Sequence, residues 1–244
     1  MEAGSPQTPM IERTLVDRIP ALAALPAEAK AAFAERAREV TYPKGKPIYA
    51  LLKPPQELVM VLEGLAKMTA VSASGVERIV YVYRPGEILG SRVLLETSPE
   101  ASYEVTAMET VRAVAVSRSD FLALGRSHPD LIMAVTAEFS RRLDQVTRRV
   151  LAAMSVEVPV RLSHLLLDFA SGERSDDNDG FVPLVHTLTH DTMAQIIGAS
   201  RPHTSTVLRD LEEAGAVKRR SRRGLLVRPE RLREIVELEG AENA

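Results

Sequence analysis

Four side chains able to hydrogen-bond recur on one face of a short segment near the C-terminus: Arg201, Ser205, Thr206 and Arg209. The opposite face carries Thr204, Val207, Leu208 and Leu211 at i, i+3, i+4 and i+7, the spacing of a helix that buries one stripe. A guanidinium fork and hydroxyls held outward on a rigid helix suit the edges of bases and the oxygens of phosphates. Pro202 and His203 belong to the same first turn, where proline is tolerated because its N–H would find no acceptor. Ser200 stands where an N-cap belongs, and Gly198-Ala199 breaks an earlier helical pattern of Met193, Ile196 and Ile197 that Thr189 can cap. Gly215 offers a left-handed C-cap. Two short helices around a glycine turn also serve as an ordinary packing unit. With a polar outer face, the pair instead forms a helix-turn-helix whose second helix fits a major groove.

The charge that follows favours the groove. KRRSRRGLLVR, residues 218–228, places Arg220, Arg222 and Arg223 at the tip of a short hairpin. Residues 198–234 hold ten Lys/Arg against five Asp/Glu, whereas the whole chain has a net charge of −2. A basic hairpin directly after such a helix brings cations to the phosphates beside the groove, the arrangement of a winged helix-turn-helix. Double-stranded DNA is the expected partner.

Composition bounds the rest. The chain has 244 residues, 45% hydrophobic and 26% charged, as in soluble globular proteins. No apolar run approaches the ~20 residues of a membrane span, and the N-terminus lacks the layout of an export signal. A cytoplasmic location without membrane contact is the expectation. The chain has no cysteine, which excludes thiol sensing, disulfides and cysteine-held clusters.

An Ala-rich stretch from about Leu15 to Val40 has helical spacing. Between Tyr42 and Val116, short Val/Leu/Tyr runs are punctuated by Pro43-Lys44-Gly45, Pro54-Pro55, Ser74-Gly75 and Pro85-Gly86, which predicts an antiparallel roll. Ser74-Gly75 is expected to close a hairpin between Ala66–Val71 and Arg78–Tyr83. After Pro129, the residues Ile132, Val135, Phe139, Val146, Val150 and Met154 follow spacings of three, four and seven. Such a seam fits one helix packed on its own domain or, the reading preferred here, a parallel coiled-coil dimer. Pro159 marks the joint to the following helix. The fold class is α+β, with expected divisions at 1–128 (helices and roll), 129–157 (dimerisation helix) and 158–244 (winged helix-turn-helix).

Roll, long helix and winged helix-turn-helix, in that order, resemble the CRP/FNR family of bacterial transcription regulators. PKGKPIY, VLEGLAKM, YRPGEILG, SRSDFLALGRSHPDL, FSRRLDQV and IIGASRPHTSTVLRDLEEAG fall in the family's order and spacing. The resemblance implies a homodimer on a palindromic site, a sensor roll that takes a small-molecule effector, and RNA polymerase as a partner. It also places a possible effector pocket at Gly90, Ser91, Arg92, Ser102, Tyr103 and Thr147. There the chain departs from members that bind cyclic nucleotides. Ser91 replaces the glutamate that accepts from the ribose, and Ala101 replaces the arginine that neutralises the phosphate. A buried phosphate without its cation is costly, so cyclic-AMP sensing is not expected; a non-standard effector in the roll and an effector-independent dimer controlled by its abundance remain as the two readings. At the DNA end, Arg201 keeps its family position, Pro202 replaces a glutamate and Thr206 replaces an arginine, so the operator is expected to differ.

No cofactor or metal is implied. All five histidines (His128, His164, His186, His190 and His203) lie outside the roll, which argues against a cupin-type metalloenzyme and against histidine-held haem. Met60 and Met68 remain as weak ligands, more simply read as core residues. No nucleophile–base or carboxylate pair suggests an enzyme. The alternative reading is a small-molecule-binding regulator acting on a protein partner.

Overall fold

Proline decides how the chain begins. The stretch read as continuously helical splits into α1 (Arg13–Asp17), α2 (Pro20–Ala23) and α3 (Ala27–Arg36). Pro20 occupies the first turn of α2 and Pro26 is the N-cap of α3, positions where a missing N–H costs nothing. Val40 is not helical; it sits in strand β1 (Arg38–Tyr42). The computed structural model describes residues 11–51, 53, 55–71, 77–94, 103–155, 157–170, 179–219 and 224–242.

Seven further strands complete the roll: β2 (Pro47–Tyr49), β3 (Glu57–Glu63), β4 (Ala66–Val71), β5 (Glu77–Tyr83), β6 (Ile88–Leu89), β7 (Tyr103–Ala107) and β8 (Val111–Ser117). They form two four-stranded sheets, ordered β1-β8-β3-β6 and β2-β7-β4-β5. The anticipated pairing of β4 with β5 runs antiparallel from Ala66↔Tyr83 to Val71↔Glu77; Ser74-Gly75 lies outside the described residues. A register shift between Met68 and Thr69 leaves Val80 without a partner, and its side chain is exposed while Ile79, Tyr81 and Tyr83 point inward. A core of Val16, Ile19, Leu22, Phe33, Leu58 and Met60, all fully buried, joins the N-terminal helices to one sheet.

Gly64, between β3 and β4, has φ +84°, and a Cβ there would fall against the backbone carbonyl of Thr110. Left-handed strain plus that clash is expected to cost Gly64→Ala roughly 1–3 kcal/mol, read as a lower urea midpoint. An unchanged midpoint would refute the close approach.

The helices α4 (Arg118–Ser127) and α5 (Pro129–Ser155) follow, the former capped by Ser117, whose oxygen accepts from the Asp120 N–H at 3.0 Å. The chain divides into two units, Met1–Gln145 and Val146–Ala244. The second contains α6 (Val158–Phe169), β9 (Val182–Pro183), α7 (His190–Ile197), α8 (Arg201–Glu213), β10 (Val217–Arg219), β11 (Leu225–Val227) and α9 (Pro229–Glu242). Pro159 falls in the first turn of α6.

One expectation is corrected on α5. Val135, assigned to an intersubunit seam, is fully buried in its own unit's core, with Ile132 and Phe139 packed against the same cluster. Val135 therefore has no surface to offer a seam, while Ile132 and Phe139 are partly taken up by their own unit's core. Val146 is half-buried and Val150 is 52% exposed. Met133 and Leu143, each 66% exposed, lie on another face of the helix. Together with Thr136, Ser140, Thr147 and Val150 they keep a strict heptad: 133, 140 and 147 on one row, 136, 143 and 150 on the other.

Candidate nucleic-acid interface and sensor roll

Caps set the helix-turn-helix. Thr189 Oγ1 accepts from the Thr192 N–H at 3.0 Å and starts α7; Ser200 Oγ accepts from the His203 N–H at 3.3 Å and starts α8. Gly198 ends α7 at φ +67°, a left-handed conformation costly for other residues. From α6, Arg161 Nη1 donates to the Ile197 carbonyl at 2.8 Å, satisfying an end-of-helix acceptor. The inner face of α8 is the one its spacing anticipates: Thr204, Val207, Leu208 and Leu211 are buried. Thr204 is polar and has no exposed surface, but its hydroxyl donates to the Ser200 carbonyl at 3.0 Å.

That packing turns Arg201, Pro202, His203, Thr206 and Arg209 to solvent. Two hydroxyls are less available than their positions suggest. Ser205 is half-buried and shares a 2.9 Å hydrogen bond with His190 Nδ1, tying the start of α7 to α8. Thr206 donates to the Pro202 carbonyl at 3.2 Å, which commits its hydrogen within the helix and leaves the methyl and oxygen outward. Arg209 lies 3.8 Å from both Asp210 and Glu213, exposed pairs that hold it loosely.

The wing is an antiparallel ladder from Val217↔Val227 to Arg219↔Leu225, joined by β9 through Leu226↔Pro183 and Val227↔Val182. Several of its cations serve the fold. Arg228 lies 4.5 Å from the Phe181 ring centre and its Nε donates to the Asp179 carbonyl at 3.2 Å. Arg219 pairs with Glu212 at 3.3 Å and Lys218 with Asp179 at 3.8 Å. The charge count therefore overstates what faces a ligand. Arg220, Arg222 and Arg223 lie outside the described residues.

In the roll, Gly90 leads into a 3-10 turn, Ser91–Leu94, at φ +99°. A Cβ there would stand 2.6 Å from Tyr49 Oη, which donates to the Glu57 carbonyl at 2.9 Å, so the glycine permits this packing. Ser91 is exposed, and Arg92 sits over the Tyr103 ring at 5.9 Å. Thr147 is exposed on α5, and Ser102 lies outside the described residues. A serine hydroxyl at 91 is a weaker acceptor than the carboxylate the family pattern supplies there. Met60 is fully buried core, and Met68 Sδ receives the Tyr83 hydroxyl at 3.9 Å.

A polar and aromatic cluster of the roll is not visible in the sequence. Tyr81 Oη donates to Glu87 Oε1 at 2.8 Å and stands 3.1 Å from the Gln145 side-chain amide. Arg142 lies over the rings of Tyr83, Tyr81 and Phe139 at 4.9, 5.4 and 5.6 Å. Burial pushes the Tyr83 hydroxyl up to about 12, against the pull of the Arg142 charge. The only local signal was the alternation of Tyr81 and Tyr83 in β5.

Two family models match this chain: the cyclic nucleotide-binding domain over residues 39–128 and the Crp-like helix-turn-helix domain over residues 160–235. The "Cyclic AMP receptor protein" of Thermus thermophilus is 30% identical over 177 residues, covering 72% of this chain and 78% of that protein. The "CRP-like cAMP-activated global transcriptional regulator" of Mycobacterium tuberculosis is 25% identical over 202 residues, 83% of this chain and 89% of that protein. Among solved structures, FixK2 from Bradyrhizobium japonicum superposes with a TM-score of 0.69 at 18% identity, covering 81% of this chain and 96% of that one. A CRP/FNR-family transcriptional regulator from Thermus thermophilus gives 0.65 at 23% identity, with 82% and 98% covered. A roll followed by a long helix and a winged helix-turn-helix defines a DNA-binding transcription regulator. The chain belongs to the CRP/FNR family.

Proposed function

We propose that this regulator works as a homodimer on palindromic DNA and that cyclic nucleotides do not gate it. The observation carrying the DNA reading is the doubly capped helix-turn-helix, whose buried inner face leaves Arg201, His203 and Arg209 outward on one helix. Two such helices, one per protomer, suit half-sites about one helical turn apart. Support for the dimer is the heptad of Met133, Leu143 and Val150 on the open face of α5, since large exposed apolar stripes mark interaction surfaces. Of the residues named from the sequence, Val150 joins this stripe, Val146 flanks it on the heptad row it shares with the partly buried Ile132 and Phe139, and Val135 lies in the core.

The relatives named for cyclic AMP share the roll, but Ser91 and the neutral Ala101 position argue against the same trigger here. Calorimetry with cyclic AMP or cyclic GMP is expected to show no micromolar binding; a micromolar isotherm would overturn this half of the proposal. RNA polymerase is the expected protein partner of the bound dimer. Among the described residues no helix is long and apolar enough to cross a membrane, and the proposed place of action is the cytoplasm. Selection of bound genomic fragments by the purified protein, with and without cyclic nucleotide, tests the whole reading. Recovered fragments lacking two-fold symmetry, or none at all, would sink it.

A further inference from the structure

A buried arginine ordinarily answers a carboxylate with two parallel hydrogen bonds. Arg142 does not. Its side chain is 12% exposed and its nearest carboxylate contact, Nη2 to Glu138 Oε1, is 3.4 Å long. Its Nε is buried without an acceptor. What surrounds the guanidinium instead is aromatic: Tyr83, Tyr81 and Phe139, all within the ~6 Å at which a ring face attracts a cation. Three rings around one cation form a receptor for organic cations, and here the cation belongs to the chain.

We propose that Arg142 is the resident occupant of the sensor roll, an internal substitute for an effector that pins β5 to α5 and keeps the regulator competent without added ligand. The proposal rests on the reading of the chain as a DNA-binding regulator not gated by cyclic nucleotides. Two contacts make the latch. The cage grips Arg142, and Tyr81 reaches Gln145 one turn on along the same helix, so positions 142 and 145 are both held to one strand. Tyr83 and Glu138 are both buried, so little water shares this space. An occupant tethered to the helix has an effective concentration that a free cation of weak affinity cannot match. Competence then follows from the fold, and abundance of the protein becomes the regulated quantity.

The test compares wild type, Arg142→Lys and Arg142→Ala by operator titration without ligand and by amide hydrogen exchange. Arg142→Ala is expected to bind operator roughly tenfold or more weakly, because the competent state becomes fractionally populated. Amides of residues 77–83 and 138–145 are expected to exchange faster, while those of α7 and α8 are unchanged. Millimolar ethylguanidinium is expected to restore binding and protection, and urea at the same concentration to restore neither. Arg142→Lys is expected to fall between the two. Wild-type affinity and protection in Arg142→Ala, or a loss that ethylguanidinium does not repair, would overturn the proposal. If the wild type bound no DNA, the regulator reading would fail while the exchange arm still judged the latch. Should Arg142→Ala not fold, Tyr83→Leu removes one ring, keeps the cation and is read the same way.

Discussion

Replacing Leu143 with Glu is expected to turn the dimer into monomers and to weaken operator binding roughly a hundredfold or more. Leu143 is 66% exposed in the protomer, on the heptad row shared with Thr136 and Val150. In a parallel pair of α5 helices, that row meets its own copy across the symmetry axis. Each protomer would then bury a carboxylate facing its twin, and an unpaired buried charge costs about 3–5 kcal/mol. A monomer presents one recognition helix to a two-fold site and loses the second contact, which dimerisation had made effectively intramolecular. Val135→Glu is the informative contrast. Val135 has no exposed surface, so a charge there is expected to unfold the unit spanning Met1–Gln145 rather than to dissociate folded protomers. Light scattering, circular dichroism and anisotropy separate the two outcomes. A Leu143→Glu protein that stayed dimeric at micromolar concentration and held operator normally would place the interface elsewhere.

What the sequence could and could not reveal follows from how far each signal reaches. The inner face of α8 was legible because Thr204, Val207, Leu208 and Leu211 form a local 3.6-residue period, and the caps because Thr189 and Ser200 serve amides three residues on. The β4–β5 pairing was legible for the same reason: two alternating runs with Ser-Gly between them in the sequence. On α5, however, two apolar stripes share one helix. Ile132, Val135 and Phe139 match one, Met133 and Leu143 the other, and periodicity alone does not say which meets the chain's own core. Partners distant in sequence were hidden too. Ser205 reads as a free hydroxyl until His190 is brought beside it, and Arg228 as a free cation until Phe181 lies under it. Arg142 was hidden most completely, since β5 and α5 are joined only by tertiary structure.

Arg201→Ala is expected to weaken specific binding strongly while leaving non-specific binding nearly intact. Arg201 opens α8 just after the Ser200 cap and is exposed, so its guanidinium is placed to fork onto guanine O6 and N7. Such a contact carries roughly 1–3 kcal/mol of base discrimination, and a dimer makes it once in each half-site. The preference at one base pair per half-site is expected to flatten. Pro202 sharpens this prediction. It has neither an N–H nor an acceptor side chain, so it cannot compensate by reading the neighbouring cytosine amino group. Arg222, in the sequence joining the two wing strands, is expected to act through charge alone. Its replacement by Ala is expected to weaken all sequences alike and to lower the salt slope by roughly 0.9 per lost phosphate contact. Titrations of operator and scrambled duplex at several salt concentrations separate the two behaviours. Equal weakening of both duplexes by Arg201→Ala, with a changed base preference in Arg222→Ala, would reverse the roles of recognition helix and wing.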